Sequence, residues 1–383
     1  MEVRVLKQQS DRPEHGRKLH GAGVRSVWDA GNALAAHKAA AQGTRARREL
    51  VDRLLHTSGL SRPGIEWALE HCLELTPSEA ELSALVQGVL PARRAHVILP
   101  ANVFVAAHRA LALALSASPH VFVKPSRREP ALVEALHAQA PGLFELVSEL
   151  EVEPGDHVFA YGSDETVEEL RRGLPEGAVL HAHGSGFGVA VVDLESGTLQ
   201  ASAQGIAEDT ACFDQRGCLS PRFVLALGGG VGDVAAFAEQ LARSMGHLER
   251  QLPLGSMDAA ELAEVTWHRQ CAACFGRVIA AGSGAVSLRD ADAPRISNPL
   301  AELEVPPGGR HLELLAVREL EPALEALRPW LTSIGCGDDA LVARLRPRFE
   351  RARVVRVGQM QRPAFDGPVD SRGDARGEVI GPR

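Results

Sequence analysis

From Val24 to Gln87, apolar residues recur at three- and four-residue spacing, the period of helices with one buried face. Two helix starts are legible inside this stretch. Ser61 is placed to cap one, and Pro63 suits its first turn. Trp67, Leu69, Cys72 and Leu73 then give that helix its apolar face. Thr76-Pro77-Ser78-Glu79 opens another in the same way. Beyond Gln87 the pattern changes to short β-prone runs: His96–Leu99, His120–Val123, His157–Ala160 and Ala178–Leu180. Helical spacing separates them, over Ala106–Ser116, Pro130–Ala138 and Asp164–Arg172. Strand and helix in alternation predict a parallel sheet with right-handed crossovers. Ligands on such sheets bind beyond the carboxyl ends of the strands. The polar motifs Pro100-Ala101-Asn102-Val103, Lys124-Pro125-Ser126-Arg127 and Tyr161-Gly162-Ser163 all fall there.

The alternation resumes later in the chain. Strands are expected at 222–228, 276–280, 311–316, 331–335 and 353–357, and helices at 234–247, 258–272, 318–328 and 338–350. Pro306-Pro307-Gly308-Gly309 is a loop within this second part. The reading is therefore α/β, with two Rossmann-like parallel-sheet units and a helical N-terminal region. Residues 22–210 form the preamble and first unit, and 211–370 the second. Residues 1–21 read as a flexible arm, and 371–383, rich in Gly, Arg and Asp, as a disordered tail.

Composition narrows the function classes. A chain of 383 residues, 45% hydrophobic, is long enough for two cores. A formal net charge of −8 argues against nucleic acid as the main partner. No apolar run approaches the ~20 residues of a membrane span. Met1–Arg17 is polar and lacks an apolar signal core, so a cytoplasmic protein is expected. Six cysteines in that setting read as reduced thiols. Cys271-Ala-Ala-Cys274 has the inner spacing of a zinc knuckle but no second pair, and it sits in a helical pattern. Two buried thiols one turn apart, without metal, is the expected arrangement.

The stretch with the most chemistry is Phe213-Asp214-Gln215-Arg216-Gly217-Cys218-Leu219-Ser220-Pro221-Arg222. Small residues lead into it from Ala201 to Ala211, and the β-prone run Phe223–Leu227 follows. Cys218 thus lies in a turn between a helix and a strand. A thiolate there has backbone N–H groups beside it that are able to hold an oxyanion. A small core cysteine is the competing reading.

The pattern Phe-Asp-Gln-x-x-Cys-x-Ser-Pro resembles the catalytic-cysteine segment of the aldehyde dehydrogenase superfamily. It is closest to the acyl-CoA reductase branch, the LuxC-type fatty-acid reductases of bacterial luminescence. Further segments match in order over roughly residues 50 to 375. By that resemblance Asn102 donates its side-chain amide to the oxyanion; otherwise it reads as a helix N-cap. Lys124 and Ser126 match the segment that holds the adenosine ribose. The next position, often acidic in NAD-dependent members, is Arg127 here, followed by Arg128. Two guanidinium groups suit a 2′-phosphate, so NADPH is the expected cofactor; an exposed basic pair is the plain alternative. Gly162-Ser163 resembles the Gly-Ser that opens the helix over the cofactor diphosphate. Gly228-Gly229-Gly230-Val231-Gly232 lacks the third glycine of a dinucleotide fingerprint, and reads as a tight turn capped by Asp233.

His181-Ala182-His183-Gly184 stands where hydrolytic members carry Glu-Leu-Gly-Gly. The carboxylate that activates water is missing, so a thioester would pass to another thiol. His181 or His183 is either an acid/base or a hydrogen-bonded strand-end histidine. Gly358–Asp370 resembles the closing segment of the LuxC-type branch and is expected to form one wall of the site. The resemblance implies reduction of an acyl thioester, on CoA or an acyl carrier protein, to an aldehyde through a cysteine-bound acyl-enzyme. Two alternatives stay open: an aldehyde dehydrogenase or acyl-phosphate reductase, and a non-catalytic scaffold. Oligomeric state is not set by the sequence; a homodimer is compatible with it.

Overall fold

Side chains that cap helices fix the N-terminal region of the computed structural model, which describes residues 14–35, 44–74, 77–289, 304–362 and 377–381. Four helices open the chain: α1 (Glu14–Ala35), α2 (Arg45–Thr57), α3 (Arg62–His71) and α4 (Glu79–Gly88). Ser61 accepts the Gly64 N–H at 3.3 Å and starts α3 with Pro63 in its first turn. Ser78 caps α4 through a reciprocal pair with Glu81.

The first unit continues with β1 (Ala95–Ile98), α5 (Ala106–Ala117), β2 (Val121–Lys124), α6 (Ala131–Gln139), β3 (Glu145–Leu146), β4 (His157–Tyr161), α7 (Asp164–Gly173) and β5 (Val179–His183). The second contains β6 (Phe187–Asp193), α8 (Leu199–Ala211), β7 (Pro221–Leu227), α9 (Val231–Glu249), α10 (Ala259–Phe275), β8 (Gly276–Ala281), β9 (Gly284–Arg289), β10 (His311–Val317), α11 (Leu320–Leu327), β11 (Leu331–Cys336), α12 (Asp339–Leu345) and β12 (Arg353–Arg356). A last strand, β13 (Glu378–Val379), returns to the first sheet.

The two sheets have strand orders β13-β5-β4-β1-β2-β3 and β12-β11-β6-β7-β10-β9-β8. All described pairings are parallel except β13 with β5 and β8 with β9. Core strands are buried on both faces, as parallel sheets require: Val97, Val123 and Val158 in the first, Val189, Leu225 and Ile334 in the second. Loops beyond the carboxyl ends of the first sheet meet amino ends of the second: Asn102 after β1 reaches Arg216 before β7, and Gly184 after β5 shares a cavity with Leu331 at the start of β11. The candidate chemistry lies along this seam.

Four expectations need correction. β6 belongs to the second sheet and α8 packs on it, so the division falls near Gly186 and not at 210. α1 begins at Glu14, inside the segment expected to be a flexible arm; residues 1–13 lie outside the described ones. Val379 and Ile380 tie part of the expected disordered tail to β5, because Ile380 buries its side chain in the β4–β5 core. Residues 371–376, 382 and 383 lie outside the described ones. Cys271 and Cys274 are half-buried and exposed on α10, not packed inside. The glycine turn is as expected: Gly228 and Gly229 have φ of 75° and 68°, and the Gly230 N–H donates to Asp233 at 2.7 Å. No described helix is long and apolar enough to cross a membrane.

α1 crosses α5 closely enough that a Cβ on Gly31 would lie 2.6 Å from His108 Nε2. His108 is fully enclosed there against Trp28, with Nε2 3.3 Å from the Val27 carbonyl. Burial pushes its pKa down to about 4. The fold therefore holds His108 neutral, and the stability this gives is complete above pH ~6.5, the unfolded value. It drains away as pH falls from there toward 4, because the unfolded chain takes the proton first. Buried carboxylates act in the opposite sense: burial raises Glu74 and Glu129 to about 7 and Asp209 to about 8. The difference between parent and His108→Gln isolates the histidine. Between pH 7 and pH 5 the parent should lose about 2 kcal/mol more unfolding free energy in urea than the variant. Equal losses would contradict the assignment.

Candidate active site

The segment after α8 leaves helical geometry abruptly. Phe213, Asp214 and Gln215 adopt φ of 54°, 50° and 66°, a left-handed run without a glycine. Such conformations cost roughly 1–2 kcal/mol per residue. The chain then turns again, with the Arg216 N–H on the Phe213 carbonyl at 3.0 Å and the Ser220 N–H on Gly217 at 3.1 Å. Cys218 stands at the outer point of this second turn, immediately before β7, and is exposed. Thr332 at the start of β11 donates its hydroxyl to the Cys218 carbonyl. Ser333 does the same for Leu219, at 2.9 Å.

Exposure separates Cys218 from the buried thiols. Cys72, Cys212 and Cys336 are enclosed. The Cys212 and Cys72 sulfurs lie 3.6 Å apart, and this contact, with burial, pushes the Cys212 thiol well up. Burial pushes Cys336 up to about 12. Cys212 and Cys336 therefore stay protonated and inert.

Asn102 does not cap α5, whose N-cap is Val105. Its side-chain Nδ2 instead crosses the seam and donates to the Arg216 carbonyl at 2.7 Å. Gly217 packs on the neighbouring Val103: a Cβ at Gly217 would be 3.3 Å from Val103 Cγ2. The first unit thus delivers an amide two residues from the candidate nucleophile.

The wall expected from the closing segment is present as far as Arg362; Pro363–Asp370 lies outside the described residues. Asp209 anchors it by accepting the Gly358 and Met360 N–H groups at 2.5 and 3.0 Å. Gln361 Nε2 reaches the Asp209 carbonyl and Ser220 Oγ, each at 3.2 Å. Below the loop there is no spare volume. A Cβ on Gly188 would meet the Leu219 carbonyl at 2.5 Å and Met360 Cε at 2.6 Å.

The expected cofactor residues gather at the carboxyl edge of the first sheet. Lys124 ends β2, half-buried, and Arg127 is exposed beyond it. Neither has an ion-pair partner among the described residues. Ser126 Oγ accepts the Arg128 N–H at 3.2 Å, which shapes the turn. Ser163 caps α7 through the Thr166 N–H at 3.3 Å. Asp164 and Glu165 occupy the first turn of that helix, so its N-terminal field is already partly met by acids. The cations at β2 fit a phosphate; the α7 turn fits one less well.

His181 is set into the sheet. Its ring stacks on Phe159 at 4.3 Å, and Nε2 lies 3.2 Å from His157 Nδ1. His183 stacks on Tyr161 at 4.3 Å. Both rings are engaged in packing along β4 and β5, which favours the strand-end reading over an acid or base. The α7 face and the start of β11 also border a cavity of about 620 Å³, lined by Val167, Gly184, Leu331, Phe349 and Arg351 among others. It lies along the seam but not at Cys218.

Comparison with known proteins agrees with this fold. The family model described as acyl-CoA reductase (LuxC) matches residues 87–370. The chain belongs to the LuxC acyl-CoA reductase family. No curated protein matches this LuxC-family sequence. Among solved structures, an oxidoreductase from Marinobacter aquaeolei is similar with a TM-score of 0.66 at 13% identity, over 94% of this chain and 85% of the other. The P. syringae indole-3-acetaldehyde dehydrogenase AldA, solved with NAD+ and IAA, has a TM-score of 0.62 at 16% identity, over 95% and 83%. A lactaldehyde dehydrogenase has 0.63 at 16%, over 91% and 79%. At these identities the likeness establishes the aldehyde dehydrogenase fold. Family membership makes this LuxC-type chain an oxidoreductase of the aldehyde and acyl class. Asp209, Asp214 and Gln215 were given no task from sequence, since nothing in a single sequence marks a buried anchor or a left-handed turn built without glycine.

Proposed function

We propose that this chain reduces an acyl thioester, on CoA or an acyl carrier protein, to an aldehyde, with Cys218 as nucleophile and NADPH as reductant. The observation that carries the reading is the Asn102 amide held on the Arg216 carbonyl, two residues before an exposed Cys218. The Cys218 thiolate attacks the thioester carbonyl carbon. The carbonyl oxygen takes the negative charge, and the Asn102 amide and the Cys218 backbone N–H hold it. The bond to the carrier sulfur breaks, the carrier leaves as a thiolate that takes its proton from solvent, and the acyl group stays on Cys218 as a new thioester. NADPH, when bound, supplies the hydride that takes this acyl group to the aldehyde oxidation level. Collapse of the resulting thiohemiacetal frees the aldehyde and returns the thiolate.

Asn102 suits its role because one N–H is spent on the Arg216 carbonyl. That bond orients the amide before substrate arrives, and a preorganised donor costs nothing to reorganise during reaction. Hydrolysis is disfavoured because the water-activating position carries His181, which is stacked on Phe159 and paired with His157. Lys124, Ser126 and Arg127 are the residues that would hold the adenosine ribose and its 2′-phosphate, with Gly162-Ser163 next to the diphosphate. The solved relative with NAD+ supports a nicotinamide cofactor; the preference for NADPH rests on Arg127. The cytoplasm, with its reduced thiols and acyl carriers, is the setting this chemistry needs.

A panel of acyl-CoA and acyl-phosphate substrates with NADPH tests the reaction. Aldehyde and free CoA should form in equal amounts from thioesters only. Cys218→Ala should abolish turnover, and Asn102→Ala should lower kcat by about 10²- to 10³-fold. Undiminished turnover in Cys218→Ala would refute the reading. The cofactor assignment has its own check. Arg127→Glu should weaken NADPH binding by about tenfold or more while sparing NADH; an unchanged NADPH preference would remove Arg127 from the site.

A further inference from the structure

We infer that Asp214 and Arg310 are positioning residues for Cys218: their buried ion pair holds the left-handed turn that sets the direction of the thiol. The inference rests on the thioester chemistry proposed above and deepens it. It starts from an oddity of composition. Left-handed backbone is normally given to glycine, yet Phe213, Asp214 and Gln215 occupy it in succession. Side chains are retained there because each one is an anchor.

Asp214 makes the central contacts. Its Oδ1 accepts both Arg310 Nε and Nη2, at 3.1 and 2.7 Å. Its Oδ2 accepts the Gly255 N–H at 2.9 Å, and its backbone carbonyl accepts the Gly309 N–H at 3.0 Å. Gly255 must be glycine for this approach, since a Cβ would lie 2.1 Å from the Gly59 carbonyl. Arg310 is itself left-handed, with φ of 67°, and uses Nη1 on the Leu252 carbonyl at 2.7 Å. The two side chains are 3% and 4% exposed, so water does not compete for either. Gln215 continues the clamp. Its Nε2 donates to the Pro221 and His311 carbonyls, both at 2.6 Å, and its Oε1 accepts the His311 N–H at 2.7 Å.

These bonds tie the turn to the amino end of β10 and to the loop before α10. Only Arg216 and Gly217 separate the clamped run from Cys218, and Arg216 is the residue whose carbonyl orients Asn102. A shift of the turn therefore moves nucleophile and oxyanion donor together. Misplacement on the order of 1 Å is enough to cost about 10²-fold in rate.

Removing one partner alone strands a buried charge and threatens the fold. The informative variant is therefore the double change Asp214→Gly with Arg310→Met, which relieves the left-handed strain at 214 and removes both buried charges together. Asp214→Asn is the conservative companion. For each, thermal unfolding, NADPH affinity, the rate of Cys218 acylation by an acyl-CoA without NADPH, and the rate of Cys218 alkylation by iodoacetamide are measured. The double variant should melt close to the parent and bind NADPH within about twofold. It should acylate about 10- to 100-fold more slowly, with kcat falling more than KM changes. Parental acylation in the folded double variant would overturn the inference. Should the double variant fail to fold, acylation by Asp214→Asn at its own folded temperature decides in the same way. If the parent itself is not acylated by any thioester, the proposed reaction fails. The positioning claim is then read from iodoacetamide: an alkylation rate unchanged between parent and variants overturns it as well.

Discussion

A left-handed run of three residues with side chains persists only where something outside the run holds it. Here the holding interaction is the enclosed pair of Asp214 and Arg310, backed by Gln215 on His311. The backbone strain is of the order of a few kcal/mol. A charge-assisted contact from two guanidinium N–H groups onto Oδ1, shielded from water and with every Asp214 oxygen bonded, is of a size to offset it. Everything downstream depends on this. The turn sets where Arg216 puts its carbonyl, where Gly217 meets Val103, and where Cys218 leaves the protein surface.

The second requirement is the seam. Strands of the first sheet end where strands of the second begin, so loops from both converge. Asn102 comes from the first unit and Cys218 from the second. Asp209, Met360 and Gln361 brace the second loop from below, and Thr332 and Ser333 hold its carbonyls from β11. The exposed thiol is thus mounted on a rigid floor, whereas the cation set at the end of β2 is open to solvent. That division suits a reaction in which a fixed nucleophile meets cofactors and carriers that come and go. Membership in the LuxC acyl-CoA reductase family fits the same division.

Much of this was legible in the sequence because parallel strands here are short, apolar and separated by helices. β1, β2, β4, β5, β7, β10, β11 and β12 all lie within a residue or two of the expected runs, except that β5 extends further. β6 was missed because Phe187–Asp193 follows β5 with no helix between them, so the alternation rule had nothing to mark it. That omission also misplaced the division between the units. β9 was missed for a related reason: it pairs antiparallel with β8 through a tight turn. Cys218 and Asn102 were legible through resemblance, but the bond from Asn102 to the Arg216 carbonyl was not, since it joins residues 114 positions apart. The fate of His181 turned on a neighbour, His157, on the adjacent strand. The Asp214–Arg310 contact spans 96 positions and joins two residue types that are common on surfaces, so no local pattern reveals it.

The central claim is that the acyl group is carried on one sulfur at the seam. The most direct measurement is the mass of the intact protein after exposure to an acyl-CoA without NADPH, followed by peptide mapping. The account predicts a single acyl adduct on Cys218 that disappears when NADPH is added, with release of the aldehyde. An adduct on any other residue, or none on a protein that still makes aldehyde, would contradict it.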